Sequence, residues 1–265
     1  MSAVATIDVA AVLVSVFFFS LGSYYDLKAR EVDDWVWLLY APIGGIFTVL
    51  RLLYDPSLLT YTLLSIGITA LAAFALFYFG LFGGADFKAI VCLALTIPLP
   101  PTTFQPLIGY VHPVFPLVVV IQSFFCEAFA AIWLGGGNLL SYVRERGRMF
   151  AGLENESRWR KASAMILGYR TDVAKLQSSF YLYPMEQITR DEQGTRRSFK
   201  LYVNAEADRD EDVRNFCELA SQSGFEGRVW VTPGLPMLVF VLIGLGLTLI
   251  LGDAIFATVF ILAHR

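Results

Sequence analysis

Long apolar tracts separated by short polar joints constrain this chain more than any other feature of it. A helix needs about 20 apolar residues to cross the hydrocarbon core of a bilayer. Six tracts meet or approach that length, at 9–25, 35–53, 58–82, 87–98, 114–140 and 235–263. Inside a bilayer no water is at hand for backbone N–H and C=O groups, so such tracts fold as helices that satisfy their own hydrogen bonds. The fourth tract is short. It extends into Pro98-Leu99-Pro100-Pro101, is capped by other helices, or lies re-entrant. Charged residues make up 16% of the 265, against roughly a quarter in an ordinary soluble domain. Trp35, Trp37 and several tyrosines stand at tract ends, where amphipathic rings favour the headgroup layer. Residues 1–9 hold no Lys or Arg and include Asp8, unlike the basic start of a secretory signal, so the first tract is expected to stay as a helix.

Most of the charge lies in one block, 141–231, which reads as a single water-facing α+β domain. Residues 141–176 are expected to be broadly helical, as an extension of the fifth span. Residues 180–183 and 198–203 alternate like strands around a turn at 191–195, which predicts a hairpin. A helix over 208–221 and a last strand at Arg228-Val-Trp-Val complete the domain. The expected architecture is an all-α polytopic membrane protein of six transmembrane helices, with a small cytoplasmic α+β domain between spans five and six. Its parts are 1–140 (spans one to five), 141–232 (the cytoplasmic domain) and 233–265 (span six).

Lys and Arg set the orientation. Putting the joint 26–34, the joint at Lys88 and the polar block on one side collects 18 of the 20 basic residues there, including Arg144, Arg146 and Arg148. Only Arg51 and Arg265 lie opposite. This places the polar block in the cytoplasm and both termini outside.

Several function classes fall away. A net charge of -3 does not favour a nucleic-acid partner. Cys92, Cys126 and Cys217 form no CxxC and no disulfide framework, and two histidines cannot build a His-rich metal site. Pro42 with Gly44 and Gly45 reads as a kink in span two, and Gly135–Gly137, Gly244 and Gly246 as close-packing positions or joints. Glu127 reads as helix-packing glue, and Asp253 as a residue near the outer end that reaches water.

Two aspartates remain. Asp26 follows Gly22-Ser-Tyr-Tyr at the end of span one, and read alone it is a charged flank. Asp86 follows Gly83-Gly84-Ala85 at the start of span four, and read alone it is a helix N-cap. Topology joins them. Span one arrives at the cytoplasmic face and span four departs from it, so both carboxylates lie at one depth, where an acidic residue is costly unless hydrated or paired. Two neighbouring carboxyls share one proton, and such a pair can activate water against a peptide carbonyl. Gly83 and Gly84 would let a substrate backbone pass close to Asp86 and permit turns closed to other residues.

At these residues the sequence resembles a known family. Gly83-Gly84-Ala85-Asp86 resembles the second-aspartate motif of the GxGD membrane aspartyl proteases, with Ala85 in place of the second glycine. Tyr25-Asp26-Leu-Lys-Ala-Arg, an acidic stretch and Trp35 resemble the first-aspartate segment of the type IV prepilin peptidase branch. Six spans with a cytoplasmic insert are similar to the archaeal preflagellin peptidases. The resemblance implies an aspartic endopeptidase with Asp26 and Asp86 as catalytic residues, no metal or organic cofactor, and a preflagellin or pilin-like precursor as substrate. It implies no methyltransferase activity, since the N-terminal cysteine-rich domain of the bacterial enzymes has no counterpart. Precursors of this kind carry a short basic leader, which Glu31, Asp33 and Asp34 would attract; otherwise these three form a solvated loop. A presenilin or signal-peptide-peptidase-like protease is disfavoured by the missing Pro-Ala-Leu motif. A proton- or cation-coupled transporter is disfavoured by the insert and the lack of an internal repeat.

Overall fold

The computed structural model describes residues 2–145, 148–191, 194–201, 209–225 and 227–263. The chain runs through α1 (Ala3–Ala29), α2 (Asp34–Tyr54), α3 (Leu59–Tyr78), α4 (Gly84–Thr96) and α5 (Phe115–Arg144). There follow α6 (Arg158–Leu167), β1 (Tyr169–Asp172), α7 (Val173–Ser178), β2 (Leu182–Pro184), β3 (Glu186–Asp191), β4 (Gly194–Phe199) and α8 (Arg209–Gln222). The last elements are β5 (Arg228–Pro233), α9 (Met237–Leu251) and α10 (Ala254–Ala263). The elements group into two compact units, Met1–Cys126 with Pro236–Arg265, and Glu127–Leu235.

In the first unit, α1, α2 and α3 (with a 3-10 turn from Pro56) are long and apolar enough to cross a membrane, as is α5, which begins in this unit and ends in the second. Helix α2 packs on α1 and α4, α3 on α4, and α9 on α1. Aromatic and aliphatic side chains fill the centre, with Phe18 stacked on Tyr40 at 4.7 Å and Phe19, Val36, Leu93 and Leu245 fully buried. Small residues let the helices close in. A Cβ at Gly44 would lie 1.8 Å from Thr96 Oγ1 on α4, and one at Gly244 would lie 2.7 Å from the Val119 carbonyl of α5. Gly44→Leu is therefore expected to force α2 from α4 and to cost about 1–3 kcal/mol, seen as a lower thermal midpoint in detergent. Pro42 sits inside α2 without ending it.

The short fourth tract is capped by its neighbours. Helix α4 stops at Thr96, and the next carbonyls have no helical partner. Thr48 Oγ1 of α2 donates to the Leu95 carbonyl at 2.7 Å, and Ser65 Oγ of α3 donates to the Pro98 carbonyl. Arg51 Nη1 and Nη2 donate to the carbonyls of Leu99 and Pro100 at 3.3 and 3.0 Å. Arg51 is paired in turn with Asp8 of α1 at 3.3 Å, and Asp8 Oδ2 accepts from the Thr102 N–H and hydroxyl at 2.7 and 2.8 Å. The irregular backbone after α4 thus has its carbonyls satisfied by protein donors.

The final apolar tract is not one helix. It breaks at Gly252 (φ +90) and Asp253, whose Oδ1 accepts from the Phe256 N–H at 2.9 Å. Asp253 is thus 8% exposed and caps α10, rather than reaching into water.

In the second unit, β1, β5 and β2 form an antiparallel sheet in that order, and β3 and β4 form a hairpin. Strand β5 is buried on both faces. Val229 and Val231 meet Leu176, Leu182, Val213 and Phe216, while Trp230 on the opposite face meets Phe150, Met185 and Phe199. The expected last strand and the 208–221 helix correspond to β5 and α8, although Asp208 lies outside the described residues. Other expectations need correction. Helix α5 ends at Arg144 instead of continuing towards 176, and Arg146 lies outside the described residues. The hairpin strands are β3 and β4 rather than 180–183 and 198–201; the tip of the expected turn, 192–193, and the end of the expected second strand, 202–203, lie outside the described residues.

Glu186 ties this unit together. Its Oε2 accepts from Arg197 Nε and Nη2 at 2.8 and 2.6 Å, and its Oε1 accepts from the Trp230 N–H at 2.7 Å. Burial raises the Glu186 carboxyl above its ordinary range, against the opposing pull of Arg197 and the Trp230 amide. The folded state then holds its proton more tightly than the unfolded chain. Stability is therefore lost as pH climbs from the ordinary carboxylate range towards the raised value. Glu186→Gln is expected to remove that pH dependence and to cost about 1–3 kcal/mol by leaving Arg197 without its counter-charge, measurable by thermal unfolding across pH.

Candidate active site

Helix α1 carries Asp26 in its last turn, and the chain then turns sharply. The turn residue is Arg30, whose N–H donates to the Asp26 carbonyl at 3.1 Å and whose φ is +59. Among the described residues no other non-glycine has a positive φ. A residue with a Cβ pays roughly 1–2 kcal/mol to sit there. The same residue places Nη1 3.6 Å from Asp26 Oδ1, an ion pair slightly too long for a hydrogen bond. Both side chains are mostly buried, at 19% and 14% exposure for Arg30 and Asp26. Asp26 Oδ2, Arg30 Nε and Arg30 Nη1 are buried with no hydrogen-bond partner in the protein. From the other side, the backbone N–H of Leu238 in the first turn of α9 faces the Asp26 carboxylate. Gly22 of α1 makes room for this, lying against Leu238 and Trp37.

Asp86 enters from α4. Helix α3 ends on Gly80, whose left-handed backbone (φ +68) closes the helix as a C-terminal glycine does. Helix α4 opens at Gly84, with Gly83 as N-cap, and Asp86 Oδ2 accepts from the Gly83 N–H at 3.1 Å. Asp86 is therefore the third residue of the helix and bonds back to the cap, instead of being the N-cap itself. Its carboxylate is close enough to Asp26 for the two charges to act on each other. The structure pairs no cation with Asp86 among the described residues.

Gly83 has an ordinary φ of -75, so the conformational freedom expected of it is not used; the turn draws that freedom from Gly80. What Gly83 and Gly84 supply is space. A Cβ at Gly84 would meet nothing within 4 Å, and one at Gly83 only Asp86 Oδ2 at 3.5 Å.

The acidic joint divides. Asp34 begins α2 and pairs with Lys88 of α4 at 2.6 Å, which ties the starts of those helices at one level. Glu31 and Asp33 are exposed in the joint between α1 and α2. Sequence reasoning missed Arg30 and the α9 amide. The first had a usable signal, a basic residue four after the aspartate on one helix face. The second had none, because only folding brings residue 238 to residue 26.

The family model described as the type IV leader peptidase family matches residues 13–134, which contain both aspartates. A second, described as archaeal peptidase A24 C-terminus type II, matches residues 160–254. The chain resembles the type IV leader peptidases over both stretches. It is similar to a preflagellin peptidase of Methanocaldococcus jannaschii, with 26% identity over 242 residues that cover 89% of this chain and 91% of the relative. A preflagellin peptidase of Methanococcus maripaludis is 24% identical over 246 residues, covering 89% and 92%. The protein is thus a peptidase, and four of its described helices are long and apolar enough to cross a membrane.

Proposed function

We propose that this protein cuts the leader peptide from preflagellin or a related pilin-like precursor at the cytoplasmic membrane face, with water activated between Asp26 and Asp86. The reading is supported by Asp26 and Asp86 lying close enough for their charges to act on each other, beside open space at Gly84. One aspartate takes a proton from water as the water oxygen attacks the scissile carbonyl carbon. The other gives its proton to the carbonyl oxygen. When the C–N bond breaks, the nitrogen leaves with the proton taken from water, a hydroxyl proton of the tetrahedral intermediate returns to the second aspartate as the carbonyl re-forms, and no acyl-enzyme forms.

The membrane arrangement belongs to the same proposal. Helix α4 with its capped loop makes the fourth of six passes, and α9 with α10 makes the sixth. Residues 141–232 are cytoplasmic and both termini outside. Glu31, Asp33 and Asp34 then border the site on the side from which a basic leader would come, with Asp34 already partnered by Lys88. Purified protein mixed with preflagellin should release one leader fragment and leave the mature subunit whole, read by mass spectrometry. Cleavage abolished by a metal chelator, or cuts scattered along the precursor, would contradict the proposal.

A further inference from the structure

We propose that Arg30 is the positioning residue of the site, holding Asp26 as the member that takes the proton from water and so leaving Asp86 to donate to the substrate carbonyl. This rests on the dyad reading above. The two aspartates sit in unlike surroundings. Asp26 has a guanidinium 3.6 Å from Oδ1 and the α9 amide of Leu238 facing it, which together favour a negative charge there. Asp86 has the single Gly83 N–H at 3.1 Å and no paired cation among the described residues. Arg30 lies beside one Asp26 oxygen, and the other, Oδ2, is buried without a hydrogen bond to the protein.

The backbone bears on the same point. Glycine or asparagine is the usual occupant of a left-handed position at a helix end. Arginine occupies it here, and backbone cost is commonly retained where it serves a site. A residue kept for folding alone would improve on replacement by glycine.

Stability and catalysis are therefore expected to separate. Arg30→Gly relieves the left-handed backbone and removes the guanidinium. It should keep the thermal midpoint in detergent within a few degrees of the parent while lowering kcat for preflagellin cleavage about ten- to a hundredfold, with KM little changed. Arg30→Lys keeps a cation and should recover much of that loss. The proposal is overturned if Arg30→Gly retains the parent kcat, or if Arg30→Lys is as impaired as Arg30→Gly. Should Arg30→Gly unfold, the Arg30→Met variant decides by the same comparison with Arg30→Lys. Asp26→Asn, assayed alongside, separates the two readings. If it cleaves, the dyad itself fails; if it is inert while Arg30→Gly is fully active, only the role of Arg30 fails.

Discussion

Asp26→Asn and Asp86→Asn are each expected to reduce preflagellin cleavage at least about a thousandfold while leaving the protein folded and inserted. The size follows from the chemistry. Proton transfer by a positioned group contributes about 10²–10⁴-fold, and each asparagine removes the group that takes or gives the proton. Folding should survive for local reasons. In the first variant the side-chain carbonyl of the asparagine can still face the Leu238 amide. In the second it can still accept from the Gly83 N–H that Asp86 Oδ2 accepts at 3.1 Å. Amide and carboxylate also occupy nearly the same volume. A variant that loses activity with an unchanged melting profile has lost chemistry, and one that loses both has lost structure.

The second large effect is expected at the opposite end of the bundle. Asp8 and Arg51 are 2% and 11% exposed at their side chains, and they anchor the loop that follows α4. Removing one partner of a buried pair leaves the other charge without compensation, at a cost of about 3–5 kcal/mol. Asp8→Ala also strips the Thr102 N–H and hydroxyl of their acceptor. The double variant Asp8→Ala with Arg51→Met should be more stable than Asp8→Ala alone, because no unpaired charge stays behind. Thermal unfolding in detergent gives both values, and a double variant no better than the single would refute the account of this pair.

The spans were legible because hydrophobic length reports them directly, and α1, α2, α3 and α5 follow the apolar tracts closely. Less was legible in the later tracts. Pro98 bounds the fourth in the sequence, but the residues that serve the acceptors freed beyond α4, namely Thr48, Ser65 and Arg51, come from distant positions that the tract does not mark. The break at Gly252 likewise lies inside a continuous hydrophobic run, where Asp253 was read as solvated rather than as a cap. In the second unit, β5 was visible because it is buried on both faces and rich in β-formers. Strands β3 and β4, Glu-Gln-Ile-Thr-Arg-Asp and Gly-Thr-Arg-Arg-Ser-Phe, carry too few apolar residues to show alternation.

The candidate site divides the same way. The two aspartates could be proposed from sequence because the expected topology gives both the same depth. Their unlike surroundings could not, because these depend on the backbone of Arg30 and on the start of α9. Of the two readings of Gly83 and Gly84, clearance beside Asp86 agrees with the open space at Gly84, whereas Gly83 does not use its freedom of conformation.

The claim that Asp26 and Asp86 act as one unit is tested most directly by the double variant. Groups that share one chemical step lose their effect together, so the second removal adds little to the first. Preflagellin cleavage should be equally low in Asp26→Asn, in Asp86→Asn and in the variant carrying both. Full processing by either single variant, or losses that multiply in the double, would contradict the account.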